Sequence, residues 1–227
     1  MDFRWLSSAY TNFSKSAYST GIISLDFLLR TSTDLAQGLH GTLLCNIGFM
    51  YRDAGDSLNA YKVHQQAITL TLKNSDPENL VYAYTKAGET YGHFKNLSKK
   101  MEFLKKKYDL YKSIKNDQKS GVQAGVIGKE YEEQRKNYQT ANQYYLLSMD
   151  HFKKANDFDG LAEAYWNYGY NLDQNQKKYK EAIDNYRKSS ALYAQLNDTT
   201  NWKSKICSSV LLGGGGFAGG LAVAIRK

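Results

Sequence analysis

The feature that most constrains this chain is a fixed internal period. Gly48, Gly88, Gly128 and Gly169 recur at an almost constant interval of about 40 residues. Each is followed three residues later by a bulky side chain: Tyr51, Tyr91, Tyr131 and Leu172. Ala60, Lys100, Ala141 and Ala182 follow their glycines at a spacing that varies by one position at most. An amide–acid pair closes three of the units: Asn116-Asp117, Asn156-Asp157 and Asn197-Asp198. Register kept over four copies marks a solenoid, in which each unit is too small to bury its apolar face alone and stacks on the next.

The units read as helical. The chain has a single proline, Pro77, and is rich in Lys, Ala, Leu, Gln and Tyr, which favours helix. No alternating apolar–polar run bounded by Gly or Pro points to a sheet. Gly and Ala sit where two helix backbones approach closely, and an aromatic fills the space beside them. Many of the 19 tyrosines lie at the aromatic positions of the units and are read as packing between helices.

This pattern resembles the tetratricopeptide repeat, in its longer form with a period of about 40 residues. The first unit reads Leu44, Gly48, Tyr51 on helix A and Ala60, His64, Ala67 on helix B. The fourth reads Tyr165, Gly169, Leu172, then Ala182, Tyr186, Ser189. The second departs most, with Lys100 and Lys107 at the small positions of helix B. Either its helices pack more loosely, or Met101 and Leu104 face inward in a shifted register. The family's late proline is absent from all four units. The resemblance covers about residues 33–198. It implies an all-α, right-handed α-solenoid of about four tetratricopeptide-like helix-turn-helix repeats with terminal capping helices.

Three segments follow. Residues 1–34 read as a degenerate N-terminal capping repeat, with Phe3, Trp5, Leu6, Ala9 and Phe13 in one helix and Ile22, Leu25, Leu28 and Leu29 in the next. Residues 35–198 hold the four repeats. Asp56 or Ser57 is an expected N-cap, and Asp76-Pro77-Glu78 is the clearest helix start. Residues 199–227 read as a C-terminal capping helix and a Gly-rich apolar tail. Residues 206–225 carry no charge over 20 positions and have basic flanks. That length can span a bilayer, and Gly215 with Gly219, and Gly216 with Gly220, suit close helix contact there. Six glycines weigh against it. The tail residues Leu211, Leu212, Phe217, Leu221, Val223 and Ile225 are therefore read as a membrane anchor, as an apolar tail packed on itself or on a partner subunit, or as a flexible tail. Residues 1–10 have no apolar core of a secretory signal. The expected place is the cytoplasm, with the mitochondrial outer membrane as one site for an anchored form.

Net charge is +8, and residues 95–119 hold nine lysines against Glu102, Asp109 and Asp117. Lys95, Lys99, Lys100, Lys105, Lys106, Lys107 and Lys112 form a candidate basic patch for an acidic partner or membrane surface. The stretch has no arginine and no recognition motif, so nucleic acid is not expected. His40, His64, His93 and His151 form no ligand cluster, and Cys45 and Cys207 have no metal-ligand spacing. No nucleophile elbow, zinc signature, phosphate loop or dinucleotide motif appears. The chain is read as a non-enzyme without cofactor or metal. The resemblance implies a partner peptide or helix held along the A helices, by residues two before and one after each repeat glycine. These are Asn46, Phe49, Lys86, Glu89, Val126, Lys129, Asn167 and Tyr170. It also allows an accessory subunit of a larger assembly, a peptide-responsive sensor or a vesicle-fusion-type adaptor.

Overall fold

The computed structural model describes residues 37–196, the side chains of 37–40 excepted. Every regular element among them is a helix. The expected N-terminal cap, the pair Asn197-Asp198 and the tail residues Leu211, Leu212, Phe217, Leu221, Val223 and Ile225 lie outside the described residues. No helix among the described residues is long and apolar enough to cross a membrane.

The chain divides into two compact units, residues 1–110 and 111–227. The first holds α1 (Gln37–Asp53), α2 (Ser57–Lys73), α3 (Pro77–His93) and most of α4 (Leu97–Ser113). The second holds α5 (Asp117–Glu133), α6 (Tyr138–Ala155), α7 (Phe158–Tyr170), a π-helical turn (Asn171–Asn175) and α8 (Tyr179–Gln195). In the first unit α1, α2 and α3 pack on one another; in the second, α6 packs on α5 and α7, α5 on α7, and α7 on α8.

The period has a simple cause. Helices α1–α5 are equal in length, and the turns that join them, 54–56, 74–76, 94–96 and 114–116, are equal too. Two helices and two turns make one period. Most turns share one device, while Lys178 before α8 makes no side-chain cap hydrogen bond. The residue before the N-cap takes a positive φ: Gly55, Ser75, Lys95, Lys115, Lys136, Asn156 and Lys177. The following N–H then reaches back to the last turn of the helix just ended, as Asp56 does to Tyr51 and Asn96 to Tyr91. That same residue caps the next helix: Asp56, Asp76, Asn96, Asn116, Asn137 and Asp157 each accept a backbone N–H with the side chain. The expected starts at Asp56 and at Asp76-Pro77 are those observed.

Two details differ from the sequence reading. Asn116 is itself the N-cap, whereas in Asn156-Asp157 the acid caps and Asn156 is left-handed. The pairs mark the turns in registers one position apart because the turn before α6, 134–137, is longer by one than those before it. The second difference is in α4. Met101, Phe103 and Tyr108 are buried, while Leu104 is half-buried. Phe103, immediately before Leu104, lies against Gly88. Lys100 lays its methylene stem where a Cβ on Gly92 would sit, 3.1 Å away, and Lys107 donates from Nζ to Thr85 Oγ1 at 3.3 Å. Long aliphatic stems thus replace small residues at these positions.

Candidate functional site

The B helix of three hairpins inserts a ring into the gap left by the A-helix glycine. A Cβ on Gly48 would lie 2.6 Å from the His64 ring, on Gly128 2.8 Å from Tyr145, and on Gly169 3.1 Å from Tyr186. The polar tip of each ring then meets the residue four places after its glycine. His64 feels Arg52, Tyr145 donates to Glu132 at 2.6 Å, and the Tyr186 hydroxyl lies beside Asp173 without an aligned hydrogen bond. Burial, with the positive charge of Arg52 and Lys86, pushes His64 down to about 4, so it is neutral. Its Nε2 pairs with Thr90 Oγ1 at 2.8 Å. Burial and the nearby carboxylates push the tyrosines upward, so both stay protonated.

In the first unit Phe49 of α1 and Lys86 of α3 come together, while Asn46 meets Tyr82. Asn46 Oδ1 accepts from the Tyr82 hydroxyl at 3.2 Å. Phe49 is 8% exposed, with the Arg52 guanidinium 4.0 Å and the Lys86 ammonium 4.4 Å from its ring centre. Phe49 is therefore a support for two cations rather than a presented apolar grip. Lys86 reaches Glu89 at 3.4 Å, and Arg52 pairs with Asp53. Cys45, fully buried here, has its thiol pushed up to about 12 by that burial, against the pull of Lys86, and is inert.

In the second unit the A helices present more. Val122 and Val126, one turn apart on α5, are 55% and 43% exposed, and Tyr170 on α7 is 44% exposed. Lys129 continues the stripe and lies 3.6 Å from Glu133. Asn167 is half-buried on α7.

The basic patch on α4 is not a bare field of charge. Glu102 sits between Lys99 and Lys106, 2.8 Å from each. Lys106 also stands over the Phe103 ring, and Lys100 and Lys107 are half-buried. Lys95 and Lys112 are exposed and Lys105 is half-buried. Three aromatic rings stack beside this patch, Tyr61 on Tyr91 at 4.1 Å and Tyr91 on Phe103 at 5.5 Å.

Sequence reading missed a buried polar network in the second unit. Glu132 accepts from Tyr145 and from Asn175 Nδ2 at 2.8 Å; Asn175 also donates to Asn171, which donates to Asn142 at 2.7 Å and to the Tyr138 carbonyl at 3.0 Å. The clues were the run Asn171–Asn175 and the lengthened step from Gly169 to Ala182. That step is one position longer than in the first two units, and the helix takes up the surplus as a π turn. Among the described residues no three His, Cys, Asp or Glu side chains gather where they could hold a metal.

No family model and no curated protein sequence matches the chain. Solved structures do. A signal-transduction ATPase with numerous domains and a tetratricopeptide repeat sensor, from Pyrococcus horikoshii, superposes with a TM-score of 0.62 at 13% identity over 83% of this chain. The chain spans only 28% of that protein's length. The tetratricopeptide-like repeats of a putative kinesin light chain from Podosopora anserina give 0.60 at 10% identity, over 86% of this chain and 96% of that one. Aspartyl phosphate phosphatase F from Bacillus subtilis gives 0.62 at 16% identity, over 87% of this chain and 50% of that one.

Proposed function

From the premise that this is a helical-repeat protein of tetratricopeptide type, we propose that it is a non-enzymatic interaction scaffold or adaptor that holds a peptide or helix of a partner protein against its A helices. The observation that carries this reading is the stripe on α5. Val122 and Val126 stay exposed at helical spacing and Lys129 extends the row. Exposed apolar side chains in a row, edged by a cation, suit a segment with apolar anchors and a nearby acid. Asn167 and Tyr170 on α7 add a polar group and an aromatic edge. In the first unit Asn46, Lys86 and Glu89 supply polar contacts, with Phe49 beneath Lys86. The basic residues Lys95, Lys99 and Lys106 favour an acidic partner at low ionic strength.

Capture of cellular partners by the full chain tests this. Val126→Asp with Lys129→Glu should weaken a partner held by the second unit, and Lys86→Glu one held by the first. Val126 and Lys129 are exposed, so circular dichroism of that variant should be unchanged, and for half-buried Lys86 it serves as the check that the variant is folded. Undiminished capture of every partner by both variants would sink the proposal. The tail has its own test. If the uncharged run at residues 206–225 anchors the adaptor, carbonate extraction should leave the full chain with membranes and release a chain ending at Leu212.

A further inference from the structure

Glu132 stands at the joint of the second unit. It is 8% exposed near the C-terminal end of α5. One oxygen accepts from the Tyr145 hydroxyl of α6 at 2.6 Å, the other from the Asn175 amide of the π turn at 2.8 Å. Through Asn175 and the fully buried Asn171 the carboxyl is connected to the start of α6 at Tyr138 and Asn142. One side chain thus ties α5, α6 and the segment after α7 together. Neither of its hydrogen-bond donors is cationic.

The charged and titratable groups around Glu132 do not neutralise it. On its own helix Glu133 opposes its charge and Lys129 favours it, with the Lys129 ammonium 3.6 Å from Glu133. From α6 comes Tyr145, and from α8 comes Tyr186, whose hydroxyl lies beside Asp173 of the π turn. A buried carboxylate with only neutral donors is expensive, and either takes up a proton or draws in water.

We propose that this joint is a proton-operated lock on the stacking of the two hairpins of the second unit, closed when Glu132 carries a proton and loosened when it does not. With the proton on, the carbonyl oxygen accepts from Asn175 and the acid O–H donates to the Tyr145 oxygen. Both links are kept and no charge is buried. With the proton off, a full negative charge sits between α5 and the π turn, and its hydration favours their separation. Burial outweighs the two hydrogen bonds and holds the Glu132 carboxyl above the usual carboxylate range. A raised folded-state value gives stability that is complete below the unfolded value, about 4.3, and is lost as pH rises through the folded one. Because α5 and α7 carry Lys129, Asn167 and Tyr170, the lock would set the spacing of those side chains. It stands or falls independently of the binding role.

Hydrogen exchange of the full chain, corrected for intrinsic rates, tests the lock between pH 4 and 8. Protection of the amides of Asn171–Asn175 should fall as pH rises, by about tenfold for each pH unit that the carboxyl's value is displaced. Glu132→Gln should remain protected at the level of the acid limb throughout, since its amide oxygen accepts from Asn175 and its NH2 donates to Tyr145. Tyr145→Phe removes a bond that favours the ionised form, so its midpoint should move up. The same amides in Glu132→Gln serve as the pH reference, because the first unit has its own acid-side titration at His64. Flat protection in the unsubstituted chain, or the same slope in Glu132→Gln, would overturn the proposal. Should Glu132→Gln fail to fold, an unmoved midpoint in Tyr145→Phe would do so.

Discussion

Two glycines on the same helix should respond to alanine with opposite sign. A Cβ on Gly128 would lie 2.8 and 2.9 Å from two Tyr145 ring carbons and 3.2 Å from the Ala141 carbonyl oxygen. The ring cannot swing clear, because Tyr145 is 1% exposed and its hydroxyl is held by Glu132. Restoring normal carbon–carbon contacts of about 3.5–4 Å therefore means moving α5 and α6 apart by several tenths of an ångström. Overpacking of this kind costs about 1–3 kcal/mol. The gain in helix propensity returns about 0.8–1 kcal/mol, leaving Gly128→Ala less stable by up to about 2 kcal/mol. At Gly125 the nearest atom to a new Cβ is Ser148 Oγ at 3.5 Å, an ordinary contact. Gly125→Ala should keep the propensity gain and be more stable by about 0.5–1 kcal/mol. Urea unfolding by circular dichroism gives both values, with equal m-values required for the comparison. Gly128→Ala as stable as Gly125→Ala would mean that ring insertion does not set the spacing of these helices.

Three further outcomes follow from local geometry. His64 is neutral in the fold, with its value lowered from 6.5 to about 4. The unfolded chain takes up the proton first, so the first unit should lose stability as pH falls from 6.5 toward 4, by at most about 3 kcal/mol. Unfolding curves of His64→Phe should lose this acid-side slope, and an unchanged slope would exclude His64 as its source. Lys95, Lys115 and Lys177 hold left-handed backbone, so Lys→Gly at each should raise the urea midpoint by the equivalent of about 0.5–1 kcal/mol. Gly55→Ala should lower it by about 1 kcal/mol although nothing lies within 4 Å of the new methyl.

Much of this protein is written locally. The period, the Gly–ring–Ala alternation and the caps at Asp56 and Asp76 follow from residues a few places apart, and short-range backbone chemistry acts on them directly. The partner residues were placed on A helices by spacing, and Lys129 and Tyr170 do lie exposed there. What the spacing could not say is which side chains cover which. Phe49 stands at a partner position by spacing, and Arg52 from its own helix and Lys86 from α3 flank its ring. The basic patch was read from a run of lysines, but one acid, Glu102, lies between two of them.

The clearest division concerns a single extra residue. From Gly128 to Ala141 and from Gly169 to Ala182 the third and fourth units take the same step, one position longer than from Gly48 to Ala60. By sequence the two are alike. In the third unit the surplus lengthens the turn at 134–137; in the fourth it enters the helix at Asn171–Asn175. The spacing alone determined that an extra residue must be absorbed. Where it went was decided by tertiary contacts, because only in the fold do Tyr138, Asn142 and Glu132 stand ready to bond Asn171 and Asn175 and so compensate a widened helical turn.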